Sequence, residues 1–250
     1  MTAKKQWLES TKASSLLAVY YGIIDLLERL SLDAESPPQA LEVDERLLDK
    51  EWLETRISEG LVTVRVRPPS SGVSERLDDR VELASGGPVS IEIVPDEEVW
   101  GVRLGSLYEA LPSLVLRTDA SLYKKLAFET TRSGIEYMGI YTVNGLLAVF
   151  EGEHYRVTLP FVKSVASVHT HPEGSCLLSL KDVESGLDLL VEGGLFIAAV
   201  TTSCAFVMYR HGLVLEDDFF RVKEALLKAR GRGSLDSLRL DSIRFYSVAY

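Results

Sequence analysis

The feature that most constrains this chain is the run of short apolar segments between residues 136 and 210. Stretches at 136–143, 146–151, 154–162 and 164–170 read as strands, and Asn144-Gly145 between the first two is a hairpin turn signal. Within 154–159, Tyr155, Val157 and Leu159 alternate with His154, Arg156 and Thr158, the period of a half-buried strand. Residues 179–192 then change to a helical period, with Leu180, Val183, Leu187, Leu190 and Val191 apolar and Gly193-Gly194 as the stop. Strands follow at 195–202 and 204–210, and a last helix covers about 217–229. Strands and helices in this order specify an α+β domain with a mixed sheet flanked by helices.

The segments upstream are punctuated differently. Residues 12–31 carry a broad helical stripe, broken by Ser36-Pro37-Pro38. Residues 44–58 read as a second helix stopped at Gly60, and Val62, Val64 and Val66 alternate with polar neighbours as a strand. Pro68 to Gly72 and Gly86-Gly87-Pro88 are breaks, and Val89, Ile91 and Ile93 are strand-like. Two helices followed by a hairpin resemble a winged helix. Further on, Leu114 to Leu116 reads as a short strand, with Asp119 as the cap of a helix over 120–132. The expected division is a small α+β module over 1–108, a second domain over 109–232 and a tail over 233–250. The first module carries no catalytic cluster.

Composition sets the outer bounds. The chain has 250 residues, enough for one large domain or two small ones, and 46% hydrophobic content gives an ordinary globular core. With 27 Lys+Arg against 37 Asp+Glu the net charge is −10, which repels phosphate backbones and argues against nucleic acid as the partner. Only Asn144, Gln6 and Gln39 carry side-chain amides, a depletion that points to a thermophile. Two cysteines are too few for a secreted framework and argue for the cytoplasm, with one Cys176–Cys204 bridge left open. The apolar run from Leu16 to Ile24 stops at Asp25, well short of the roughly 20 residues a membrane span needs. It reads as a buried helix, with no membrane partner and no leader.

Chemistry concentrates in one string. Two of the four histidines stand in His169-Thr170-His171-Pro172, at the end of an apolar strand. Positions i and i+2 of a strand face the same way, so the two imidazoles stand side by side. The plain alternative is a pair of histidines on an exposed strand end. Ser179 and Asp182 open the next helix, where Ser followed three residues later by an acid also reads as a capping box. If the glycine-bearing turn at Gly174 folds the helix start beside the strand end, Asp182 becomes a third ligand. Two neutral histidines, one carboxylate and an open position make a catalytic zinc site.

The string HTHPEGSCLLSLKD resembles the JAMM motif of MPN+ metalloproteases: His-x-His-Pro, six residues, Ser, two residues, Asp. The likeness covers about 112–230. It implies the MPN/JAMM fold, an α+β mixed sheet between helix layers, with Zn²⁺ held by His169, His171 and Asp182. It also implies a glutamate general base at the start of the strand after the first helix, the place Glu136 occupies, and an oxyanion donor in Ser179. Glu129, Glu151 and Glu153 are rivals for the base. Glu136 stands 33 residues before His169, and no long insert follows Asp182, so the inserts with which relatives hold ubiquitin are reduced. The implied activity is hydrolysis of a peptide or isopeptide bond in a protein substrate, such as a conjugate of a ubiquitin-like or sulfur-carrier-like modifier, in an archaeal-type protein.

The main competitor is a non-catalytic MPN scaffold, which usually has lost ligands that are all present here. An amidohydrolase barrel places its His-x-His on an early strand, and the 79 residues after His171 are too few for its remaining units. Cys176 is set aside as a ligand or nucleophile, because the metal needs an open corner and no base pairs with the thiol. His154 and His211 read as exposed. The first module is left as a substrate recruiter, a shield or a dimerisation surface, and a homo-oligomer stays open.

Overall fold

A computed structural model describes residues 6–33, 41–67, 80–82, 90–96, 98, 101–152, 163–172, 174, 176–229 and 238–249. Two sheets organise the chain. The larger has seven strands: β1 (Gln6–Glu9), β7 (Tyr137–Thr142), β8 (Leu147–Glu151), β9 (Ser164–Thr170), β10 (Phe196–Val200), β11 (Cys204–Arg210) and β12 (Ile243–Ala249). Their order is β1-β8-β7-β9-β10-β11-β12. The smaller, ordered β4-β5-β3-β2-β6, holds β2 (Glu42–Asp44), β3 (Leu61–Val66), β4 (Arg80–Glu82), β5 (Ser90–Pro95) and β6 (Gly101–Arg103).

The fold is therefore mixed α+β, with helices on both faces of the larger sheet. Strand alternation sorts the two faces. Phe196, Ala198 and Val200 of β10 join one apolar cluster with Val207 and Tyr209 of β11. The intervening Ile197 and Met208 join the other. The first face receives helices α1 (Lys12–Asp33), α3 (Leu104–Thr118) and α4 (Ala120–Ser133). The second receives α5 (Leu180–Val191) and α6 (Glu216–Ala229) through Val183, Leu187, Leu190, Val222 and Leu226. Only the β9–β10 pair of the larger sheet is parallel, because α5 carries the chain back between them. Asn144-Gly145 closes the β7–β8 hairpin as expected, with Gly145 at φ 77°.

Several local expectations change. Leu114–Leu116 is not a strand but the last turns of α3. Leu104, Leu107, Leu111 and Val115 are buried at helical spacing, and a three-residue apolar run cannot reveal that period by itself. The helix expected over 44–58 splits into a 3-10 turn over Glu45–Leu48 and α2 (Lys50–Glu59), because Asp49 turns aside to cap Glu51 and Trp52. Asp119 precedes α4 without capping it. Its carboxylate is buried and accepts from Thr11 Oγ1 at 3.0 Å and Tyr141 Oη at 2.8 Å instead. The winged-helix likeness does not hold, since β3 pairs parallel to β5 and antiparallel to β2. The strand expected at 154–162 lies outside the described residues.

The first hundred residues are also woven into the larger sheet. β1 pairs antiparallel with β8, α1 packs on β7 and β9, and one continuous apolar cluster runs from Leu17 through Val64 to Val168. Residues 243–249, expected as part of a tail, form β12 along β11. At the end of the sheet where β10 starts, Arg210 is buried beside Glu28 of α1. Tyr108 of α3 donates to the same carboxylate. Arg210 also donates to the carbonyls of Gly194, Gly193 and Gly212 at 2.7, 3.1 and 3.3 Å.

Candidate metal centre

The opposite end of β9 carries the histidines. Alternation turns His169 and His171 toward the α5 face, while Thr170 between them points to the α4 face. There Thr170 Oγ1 lies 2.6 Å from Thr130 Oγ1 and accepts the Tyr137 amide at 2.8 Å. The middle residue of the tripeptide thus pins the start of β7 to the end of β9. The sequence signal for that role was the threonine itself, at the one position of the motif that faces away from the ligands.

β9 and α5 bring the third group in. The His171 amide donates to Val200 O at 2.8 Å, which fixes the chain as it leaves the sheet. Ser179 then caps α5 in a reciprocal box. Its Oγ accepts from the Asp182 amide at 3.2 Å, and its own amide donates to Asp182 Oδ2 at 2.8 Å. The capping box and the ligand reading of this sequence are therefore both realised, since the box aims the carboxylate at the histidines.

The ligand atoms converge. His169 Nε2 and His171 Nε2 are 3.0 Å apart, and Asp182 Oδ2 is 3.4 Å from the first and 3.5 Å from the second. Ligands at about 2.0–2.1 Å around a tetrahedral ion stand roughly 3.3 Å from one another, so the three atoms fit one zinc-sized ion. His169 is buried, and its Nδ1 has no hydrogen-bond partner among the described residues. Burial pushes the Asp182 carboxyl upward, but the imidazoles of His169 and His171 and the Ser179 cap outweigh it and hold the group well below the usual carboxylate range. An ionised carboxylate beside two imidazoles is a donor set of one anionic oxygen and two nitrogens, which suits a borderline divalent cation.

Register separates the candidate bases. Met138 pairs with His169 across β7–β9, and Glu136, two residues earlier on the same chain, falls in line with His171 on the same face. The Glu136 carbonyl accepts the Gly152 amide at 2.8 Å, so the backbone is still paired there, and the side chain is exposed. Glu151 pairs with Tyr137 and so belongs to the other face, where Tyr137 Oη donates to Glu129 at 3.1 Å. Glu153 and His154 lie outside the described residues. His211 is half-buried rather than exposed. It sits 3.5 Å from Glu109, at the far end of the sheet from His169 and His171.

The two cysteines form a disulfide, settling the pairing the sequence left open. Cys176 lies in the segment between His171 and Ser179, so its sulfur is a tether of that segment rather than a ligand. No helix among the described residues is long and apolar enough to cross a membrane. No family model matches the chain, and neither a curated protein nor a solved structure matches it.

Proposed function

We propose that this chain is a zinc-dependent metallopeptidase or isopeptidase with the MPN/JAMM fold, acting on a protein conjugate of a small ubiquitin-like or sulfur-carrier-like modifier. The observation that carries the reading is the convergence of His169 Nε2, His171 Nε2 and Asp182 Oδ2 within 3.5 Å of one another at the end of the central strand β9. The spacing of the motif from His169 to Asp182 supports it independently. The three side chains would hold the ion. A divalent zinc supplies Lewis acidity there, lowering the pKa of a water from about 15.7 to near 7 and polarising an amide carbonyl.

The other residues do the proton work. Glu136, in line with His171, accepts the proton of the attacking water and returns it to the departing amine. The Ser179 hydroxyl uses its oxygen to accept from the Asp182 amide, which leaves its proton to donate to the developing oxyanion. Asp182 stays ionised and acceptor-only, while its Ser179 contact stops it from swinging out of the site.

Incubation of the full chain with linear and isopeptide fusions of β-grasp modifiers, with and without a chelator, tests this reading. Cleavage is expected only in the metal-loaded protein, and Glu136→Ala is expected to abolish it with bound zinc retained. Cleavage that survives in Glu136→Ala removes the assigned base. A protein that binds zinc but cleaves no fusion is a scaffold rather than an enzyme.

A further inference from the structure

The segment joining the two halves of the triad is covalently tied to the sheet. The described residues of 172–178 form neither helix nor strand. The segment is fixed at its entry by the His171–Val200 hydrogen bond and at its exit by the Ser179 cap. Midway between His171 and Asp182, Cys176 is bonded to Cys204, with the two Cα atoms 5.9 Å apart. Cys204 opens β11 at the end of the sheet that holds the histidines. Val200 pairs with Ala205, and one step outward the Thr201 amide donates to Cys204 O at 2.8 Å while the Cys204 amide donates to Thr201 Oγ1 at 3.1 Å. The anchor is thus two strands from His171 on a rigid hairpin.

The apolar anchorage of α5 thins before the ligand, where Leu178 and Leu180 reach the apolar cluster but are not fully buried. Val183 and Leu187 are fully buried, but Ser179 and Lys181 are exposed, and Leu178 and Leu180 are half-buried. Asp182 stands in the first turn of the helix, just before its fully buried residues begin. Among the described residues, the disulfide is a covalent restraint on its upstream side.

Building on the metal-centre reading above, we infer that Cys176 and Cys204 are positioning residues for the ion, and that reduction of their bond by a dithiol weakens the centre. Reduction adds two electrons and two protons to the S–S bond and yields two thiols, while the dithiol closes to its own disulfide. The freed loop recovers backbone conformations that ion binding must then remove. Groups that hold metal ligands in place typically contribute about 10- to 100-fold in affinity, and that is the expected loss. Linkage makes the effect reciprocal: the ion stabilises the bridged form by the same factor. Loading the metal is therefore expected to move the midpoint potential of the cysteine pair about 30–60 mV more negative.

Co²⁺ titration of the full-length protein, followed by its visible absorption, tests this in three forms. These are the oxidised protein, the protein reduced by a dithiol and desalted without oxygen, and Cys176→Ser/Cys204→Ser. Binding 10- to 100-fold weaker in the last two, at unchanged circular dichroism, is the expected result. Affinities within twofold of the oxidised protein would overturn the inference, as would a thiolate-to-cobalt charge-transfer band in the reduced form, which would make the cysteines ligands. Should the double variant fail to fold, the potential measured with and without metal decides alone, because a purely structural bridge leaves it unmoved. No Co²⁺ uptake by the oxidised protein overturns the metal-centre reading itself.

Discussion

The two ends of the seven-stranded sheet each carry a polar cluster, one buried and one partly open, and the clusters are built on different principles. At one end Arg210 gives its guanidinium hydrogens to Glu28 and to three backbone carbonyls, and Tyr108 completes the carboxylate. Donors there match acceptors. At the other end three lone-pair-bearing groups face one another, and a buried histidine nitrogen has no described partner. A matched cluster adds rigidity and has nothing left to offer a ligand. Two imidazoles converging on one carboxylate, with a buried ring nitrogen left over, still have lone pairs to offer a cation. Charge alone would not separate the two. The His169 nitrogen with no partner among the described residues and the convergence of three metal-ligating atoms do.

Breaking the matched end has the largest expected effect on the fold. Glu28→Ala leaves a buried guanidinium uncompensated and is expected to cost about 3–5 kcal/mol in denaturant unfolding, with metal stoichiometry unchanged. The converging end responds the other way. Asp182→Asn is expected to weaken metal binding by more than about 100-fold, roughly 2.7 kcal/mol, while costing the metal-free protein less than Glu28→Ala does, because the lost carboxylate contacts lie at a partly exposed helix start. If Asp182→Asn lowered metal-free stability as much as Glu28→Ala, the contrast between the two ends would be lost. Ser179→Ala sharpens it at a smaller scale: removing the cap oxygen is expected to cost about 1 kcal/mol of stability while one ion per chain is still bound.

The candidate centre was far more legible than the frame around it. Strand alternation puts His169 and His171 on one face whatever the fold, and Ser179 with Asp182 reads as a helix start from their spacing alone. These are local facts, and both survive in the structure. Which of Glu136 and Glu151 shares a face with the histidines is not local. It follows from the β7–β9 and β7–β8 registers together, which no single segment encodes. The error at Leu114–Leu116 has the same root, because the helix period is visible only when Leu104, Leu107 and Leu111 are read together with Val115 across Pro112. The larger gap was the boundary. β1 and α1 lie early in the chain, yet they complete the sheet and core formed by residues beyond 137, a pairing set by long-range packing. The Cys176–Cys204 bond was out of reach because two cysteines fix a possible pair but not the distance between them.

X-ray absorption at the zinc edge of the stoichiometrically loaded full-length protein tests the centre most directly. One zinc per chain surrounded only by nitrogen and oxygen at about 2.0–2.1 Å, two of them imidazole, is the expected result. A sulfur shell near about 2.3 Å, or no bound zinc after dialysis, would contradict it.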